Sequence, residues 1–247
     1  MIYFFNRSSS VNVDCFTFDA SVYKFTPIVK ASKTVPKWWS NLKPFKPKFN
    51  YEDINNKPRS EVNMRNCFGF VELYKKGVVL ENWTDISIKT TPEEYRYFYG
   101  FGLQPQEHSR NEYGEGFKDY HHIKLSSPWI MKEKTGVQFL FLGAEWSLEN
   151  YDFKILPGVL QFDFNVGTNV NIMLPAKEKE YHIPIGSPLA HIIPLSEKQV
   201  VFKNHLVSDT EFKKLKVHSS ASFKGWRSIT KLIKRNKDRE NQKCPFH

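Results

Sequence analysis

Histidines and carboxylates near predicted strands are the residues of this chain whose types and spacing could support chemistry. Two histidines and one carboxylate that face a common cavity are typical ligands of non-haem iron enzymes. An acid and a histidine separated by one residue occur in Asp119-Tyr120-His121, and His191 lies on a later predicted strand. The pattern therefore predicts Asp119, His121 and His191 as iron ligands. Further candidates on strands or at their ends are His122, Glu145 and His182.

Motifs of other enzyme classes do not occur in the sequence. It contains no P-loop, no Gly-rich dinucleotide fingerprint, no GxSxG, no HExxH and no zinc-finger spacing. Eight histidines in 247 residues also produce chance pairings with carboxylates. The favoured interpretation is therefore a protein without a cofactor and without enzymatic activity. The alternative is a jelly-roll enzyme that uses iron, in the manner of an oxygenase, on a host or small-molecule substrate.

The elements that would position these residues are mostly strands. The stretch from Leu156 to Leu195 is rich in β-branched and aromatic residues, and Gly, Pro or Asn interrupts it every eight to twelve residues. Such a pattern is typical of antiparallel sandwiches and barrels. The chain is predicted to be mainly β, an antiparallel jelly-roll-like sandwich or barrel with a short basic C-terminal helical segment. The strands predicted in this stretch are Val159–Phe164, Val170–Leu174, Tyr181–Ile185 and Leu189–Ile193.

Extended structure is also predicted in the first 150 residues. Short apolar and aromatic runs between polar turns carry this signal. The predicted segments are Ile2–Phe5, Val11–Phe18, Tyr23–Ala31, Cys67–Leu73, Val78–Leu80, Trp83–Ile88, Tyr95–Phe101, Tyr120–Leu125, Val137–Leu142 and Glu145–Leu148.

Two short helices have recognisable starts. Pro36 suits the first turn of a helix that holds Trp38 and Trp39, because proline lacks only an N–H that has no partner there. The adjacent tryptophans either stack on a sugar or a base or cover an edge of the core. The segment Ser208-Asp209-Thr210-Glu211 is a capping box, which predicts a helix through Lys216.

Basic charge is concentrated in two segments. The net charge is +7 over residues 24–59 and +9 over residues 213–247, whereas the whole chain carries +10, so the remainder is acidic on balance. We predict one β domain over 1–207 with a Pro/Lys-rich connector at 43–59, followed by a basic helical tail over 208–247. Basic segments contact acidic proteins or nucleic acid phosphates, or they form a solvated surface. The predicted contact residues are Lys46, Lys48, Lys231, Lys234 and Arg235.

Cysteine content and hydropathy bear on the cellular compartment. The three cysteines are Cys15, Cys67 and Cys244, and none of them forms a CxxC pair. This argues against a disulfide scaffold or a cysteine zinc site and favours a reducing compartment. No run is long enough for a signal peptide or a membrane span. We expect a soluble protein with no membrane contact, intracellular at synthesis.

Short motifs are distributed along nearly the whole chain. They are Pro27-Ile28-Val29-Lys30, Val35-Pro36-Lys37-Trp38-Trp39, Asn66-Cys67, Gly77, Trp83-Thr84-Asp85-Ile86, Ser127-Pro128-Trp129, Gly158, Asp163, Ile185-Gly186-Ser187-Pro188-Leu189 and Cys244-Pro245-Phe246. In these motifs the chain resembles a family of uncharacterised proteins encoded by marine cyanophages and related tailed phages. It departs from the family at Gly136-Val137-Gln138 and at Gln161-Phe162-Asp163, so the resemblance implies a phage origin rather than an activity.

A phage origin favours a virion structural or assembly protein of the neck, the tail or the capsid. Such a protein would bind other virion proteins or copies of itself through strands and basic arms, with contact to DNA through the basic segments. It would be made in the host cytoplasm and end in the virion. A nucleic-acid-binding module is a third interpretation, beside the iron enzyme.

Overall fold

The computed structural model of the protein describes residues 10–43, 63–100, 106–107, 115–147, 152–163 and 167–217. Strands dominate these residues. They are β1 (Val11–Thr17), β2 (Val29–Lys30), β3 (Val78–Glu81), β4 (Ile86–Thr90), β5 (Tyr95–Tyr99), β6 (Gln106–Glu107), β7 (Tyr120–Leu125), β8 (Ile130–Lys132), β9 (Gln138–Gly143), β10 (Lys154–Ile155), β11 (Gly158–Gln161), β12 (Val170–Pro175), β13 (Lys179–Ile183), β14 (Pro188–Pro194) and β15 (Val200–Leu206). The helices are α1 (Ala20–Phe25), α2 (Lys37–Ser40), α3 (Phe68–Lys75) and α4 (Asp209–Val217).

The described strands form four open sheets. The largest has five strands in the order β11-β9-β14-β3-β2, and a second has the order β10-β12-β7-β6. Two three-stranded sheets have the orders β15-β1-β8 and β13-β4-β5. Neighbouring strands run antiparallel, except that β1 and β15 are parallel. The mainly β, antiparallel class predicted from the sequence is confirmed, in a sandwich-like arrangement.

One apolar core joins all four sheets. Alternate residues of the strands point into it, as the period of two requires. Each fully buried aliphatic side chain of this size contributes about 1.5–3 kcal/mol by leaving water. Representative members, all at most 1 % exposed, are Val13, Leu80, Ile88, Ile123 and Ile192.

Both helix starts that the sequence signals occur. Helix α2 begins directly after Pro36. Helix α4 has the reciprocal bonds of a capping box, because the Glu211 N–H donates to Ser208 Oγ (3.3 Å) and the Ser208 N–H donates to Glu211 Oε2 (3.0 Å). Phe212 is only 3 % exposed and packs edge-on against Phe18, so α4 is docked on the β domain.

Three segments predicted as extended are helical instead. Within Tyr23–Ala31, the first residues belong to α1, which the Asp19 carboxylate caps by accepting the N–H groups of residues 21 and 22. Cys67–Leu73 forms most of α3. Glu145–Ser147 is a 3-10 turn. In α3 the burial of Phe70 and Tyr74, four residues apart on one face, outweighs the strand-like alternation of the aromatic residues.

Several predicted features lie outside the described residues. They are the strand Ile2–Phe5, most of the connector at 43–59, the tail beyond residue 217, and the basic residues Lys46, Lys48, Lys231, Lys234 and Arg235.

Candidate binding cleft

The five-stranded sheet carries a histidine on the face opposite the main core. Ala190 and Ile192 of β14 belong to the core, so the residue between them points to the other side. That residue is His191, whose cross-strand neighbours are Val79 on β3 and Leu142 on β9. Helix α3 covers part of this outer face. The sheet therefore positions His191 rigidly beneath a helix.

A layer of aromatic rings packs between α3 and this face. The Phe70 ring lies at its centre, 4.7 Å from the Tyr74 ring and 5.1 Å from the Trp39 ring, both in stacked geometry. The Trp38 and Trp146 rings contact Phe70 edge-on at centroid distances of 5.6 and 5.5 Å. Such offset and edge-on pairs add about 0.5–1.5 kcal/mol each beyond their buried area. The layer is thus well ordered by packing.

Main-chain hydrogen bonds fix the two adjacent tryptophans. The Trp38 indole N–H donates to the Trp146 carbonyl (2.6 Å), and the Trp39 indole N–H donates to the Met64 carbonyl (2.8 Å). The Arg65 guanidinium lies over the Trp39 ring at 5.4 Å. Both tryptophans are half-buried, so they cover an edge of the aromatic layer, which is one of the two roles considered for them.

A cleft opens beside the aromatic layer. Its volume is about 260 Å³, below the roughly 300–1,000 Å³ of sites that hold drug-sized ligands, so it suits one side chain or a comparably small molecule. Helix α3 forms one wall, Ile155 of β10 and Pro157 form another, and the turn that follows β9 closes one end. The lining residues are Leu73, Tyr74, Leu142, Gly143, Ala144, Glu145, Trp146, Ile155, Pro157 and His191.

His191 presents a defined tautomer to the cleft. Its Nε2 lies 2.8 Å from the Lys76 carbonyl oxygen, which only accepts, so Nε2 carries the proton. Gly77, the next residue, has φ +70°, and a Cβ there would collide with the Ile192 carbonyl, so glycine is required at this turn. Burial lowers the pKa of His191 despite the bond to the Lys76 carbonyl. The imidazole is neutral, and Nδ1 is its remaining acceptor.

Two further polar groups line the cleft. Burial raises the pKa of Tyr74 to about 12, so its hydroxyl stays protonated and both donates and accepts. The Glu145 carboxylate lies above Gly143, where a Cβ would collide with Oε1. None of the described lining residues is a lysine or an arginine, and Glu145 forms no ion pair with any cation in the described part of the chain.

The described lining of the cleft determines its chemistry. None of its described residues is a serine, a threonine or a cysteine, the usual hydroxyl and thiol nucleophiles. It offers instead apolar walls, aromatic faces and three hydrogen-bond acceptors on Glu145, His191 and Tyr74. A ligand that matches them carries donors on an apolar stem.

The structure does not bring the predicted iron ligands together. His121 lies on β7, where its Nε2 is 2.7 Å from the Thr91 carbonyl and its ring contacts Tyr95. Asp119 directly precedes that strand, whereas His191 lies on another sheet and donates to Lys76. Within the described ranges, no three His, Cys, Asp or Glu residues are grouped so that they could hold a metal ion.

Sequence reasoning found some residues of the cleft and missed others. His191 and Glu145 of the cleft are candidates as metal ligands, and Trp38 and Trp39 of the adjoining aromatic layer are candidates for binding. Phe70 is missed because Cys67–Leu73 is assigned to a strand, and Tyr74 is missed because it lies just beyond that segment. Their spacing of four, with Leu73 between them, was the available sign of a buried helix face.

Two further observations concern partners and relatives. None of the helices that the structure describes is long and apolar enough to cross a membrane. No family model, curated protein or solved structure matches the chain.

Proposed function

We propose that this protein is a structural or assembly component of a phage virion, in the neck, the tail or the capsid, and that it binds a protein partner at the aromatic cleft. The observation that carries the proposal is the exposure of a large aromatic side chain at a preformed cleft. Trp146 lines the cleft and is 41 % exposed. Tryptophan and other aromatic residues are enriched in protein interfaces, where they dominate the binding energy.

The resemblance of the sequence to tailed-phage proteins supplies the virion context. In this proposal the protein is made in the host cytoplasm and then joins the particle. The basic segments 24–59 and 213–247 add contacts to acidic proteins or to DNA, as their charge favours. The cleft provides the specific contact, and the basic segments increase the rate of encounter.

Proteomics of purified particles tests the virion role. We expect the protein in gradient-purified virions of the encoding phage, at a constant ratio to the major capsid protein. A phage replication enzyme measured in the same fractions controls for carry-over from the lysate. Detection in the lysate but not in the particles would contradict the proposal.

The iron-dependent enzyme and the nucleic-acid-binding module stay predictions from the sequence. No described contact favours iron at Asp119, His121 and His191, because the two histidines use Nε2 on different main-chain carbonyls. Near-stoichiometric iron in protein purified without a His tag, lost in His191→Gln, would restore the enzyme alternative. DNA binding with a strong dependence on salt would support the nucleic-acid-binding module.

A further inference from the structure

The polar groups of the cleft are complementary to a cation. The Glu145 carboxylate brings a negative charge, and none of the described residues that line the cleft is a lysine or an arginine. Burial favours the neutral form of His191, and the hydrogen bond of Nε2 to the Lys76 carbonyl leaves Nδ1 as the acceptor of that form. The Tyr74 oxygen is a third acceptor. A ligand with several N–H donors and a positive charge satisfies all three groups, whereas an anion meets an unfavourable charge.

The apolar part of the lining limits the shape of such a ligand. Leu73, Leu142, Ile155 and Pro157 supply a hydrocarbon surface between the polar groups. An alkyl stem of three or four methylenes buries itself on such a surface while its charged head reaches the acceptors. A volume of about 260 Å³ accommodates one side chain of this kind.

The aromatic faces distinguish between the two common cationic head groups. Trp146 lines the cleft and is 41 % exposed, and a cation over an aromatic face is attracted by the ring quadrupole. A planar guanidinium stacks on such a ring and still directs five N–H donors in its plane, whereas an ammonium is a compact, strongly hydrated charge. Separate acceptors on Glu145 and His191 suit the planar fork better.

We infer that the cleft binds the guanidinium group of an arginine side chain presented by a protein partner. The inference deepens the proposed function and rests on it only in assigning the arginine to a partner. Glu145 pairs with the guanidinium, Trp146 stacks on it, and the His191 Nδ1 accepts one N–H at the floor of the cleft.

The first experiment measures the head group alone on the full-length protein. Butylguanidinium, butylammonium and the neutral isostere butylurea are titrated while tryptophan fluorescence and calorimetry are recorded. For a ligand of about eight heavy atoms we expect a Kd of roughly 1 mM for butylguanidinium, and at least about tenfold weaker binding of the other two. Equal binding of butylurea overturns the charge argument, and equal binding of butylammonium overturns the preference for guanidinium.

Matched variants test the residues. Glu145→Gln removes the charge at constant shape, and we expect about tenfold weaker binding. The control is Glu197→Gln, another exposed glutamate, in the loop between β14 and β15. Gly143→Ala places a Cβ where the Glu145 carboxylate lies and also weakens binding. Its control is Gly158→Ala on β11 of the same sheet, where an added Cβ meets nothing within 4 Å. Unchanged binding in Glu145→Gln overturns the site.

Peptides distinguish the two possible sources of the guanidinium group, an arginine side chain of a protein partner and a free small cation. We expect the blocked tripeptide Gly-Arg-Gly to bind at least as well as butylguanidinium and Gly-Lys-Gly to bind more weakly. Binding of butylguanidinium without binding of the arginine peptide overturns the partner assignment and indicates a free small cation. The particle test is independent of these results. If the protein binds butylguanidinium but is absent from virions, the virion role is overturned and the binding site stands. If the protein is present in virions but does not bind butylguanidinium, the binding site is overturned and the virion role stands.

Discussion

Two carboxylates between β9 and β10 have opposite surroundings. Asp152, just before the strand, accepts from the Lys177 ammonium at 2.7 Å and from the Lys179 ammonium at 2.8 Å. Burial alone would raise its pKa, but the two ammonium groups outweigh burial and hold the pKa well below its usual range. Glu145, in the turn after β9, has no such partner and faces an open cleft. The first carboxylate is satisfied within the fold, and the second is available to a ligand.

This contrast shows how the same residue chemistry serves two purposes. The Asp152 pairs connect the segment before β10 with the turn between β12 and β13 and with the start of β13, so they belong to the structure of the sheets. Among the described residues, Glu145 forms no ion pair that would stabilise the fold. It lies beside the exposed aromatic ring of Trp146, whose contact with water is unfavourable. Unpaired charge next to exposed aromatic surface is the combination expected of a binding site.

The largest effect is expected from removing the ring at the centre of the aromatic layer. Phe70 is 2 % exposed and contacts four other rings. Phe70→Ala should lower the free energy of unfolding by about 3–5 kcal/mol, measured by urea denaturation. Phe98→Ala is the control, because that ring is 66 % exposed and its loss should cost less than about 0.5 kcal/mol. Equal losses in the two variants would show that the layer does not organise the cleft.

A smaller change in the free energy of unfolding should distinguish the two carboxylates directly. Asp152→Asn should lower the free energy of unfolding by about 1 kcal/mol at low salt, because two pairs are lost but water screens a side chain that is 37 % exposed. Glu145→Gln should change it by less than about 0.3 kcal/mol, since no pair is lost. Urea denaturation at low and high salt measures both. The loss in Asp152→Asn should shrink at high salt. A larger loss in Glu145→Gln would reverse the comparison.

The contribution of Asp152 to stability should change with pH in a defined direction. Since the Asp152 pKa is lowered on folding, its contribution is present above its unfolded value of 3.8 and is lost as the pH falls through the folded pKa. The wild type and Asp152→Asn should therefore converge in stability in strong acid.

The sequence predicted the parts of the fold whose signals are local. Alternation over Val170–Leu174 matches β12, and the capping box at Ser208 matches the start of α4. The prediction of a strand where α3 lies was wrong, because Phe68, Phe70 and Val71 follow one another in a strand-like series. Only contact with the outer face of a sheet built from residues far along the chain decides that Phe70 and Tyr74 form one buried stripe.

Single residues of the site were predictable from the sequence, but their arrangement was not, because it depends on contacts between distant parts of the chain. His191 and Trp38 were singled out by their chemistry, but the bond from Trp38 to the Trp146 carbonyl spans 108 residues. No local pattern shows such a pairing. Metal ligation by His191 stays a prediction, and the structure places His121 on a different sheet.

The smallest effect we expect is a change in how stability depends on pH, and it tests why His191 can serve as an acceptor. Burial lowers the pKa of this histidine from its ordinary value of 6.5, so the unfolded chain takes up a proton before the folded protein does. Stability should therefore decrease as the pH falls below about 6.5 and level off below the folded pKa. In His191→Gln the amide can still donate to the Lys76 carbonyl but cannot titrate, so this part of the decrease should disappear. Urea denaturation of both proteins between pH 8 and pH 5 measures the difference. Parallel curves would mean that His191 is protonated as readily in the folded protein as in the unfolded chain, and the cleft would then repel the cation that Glu145 attracts.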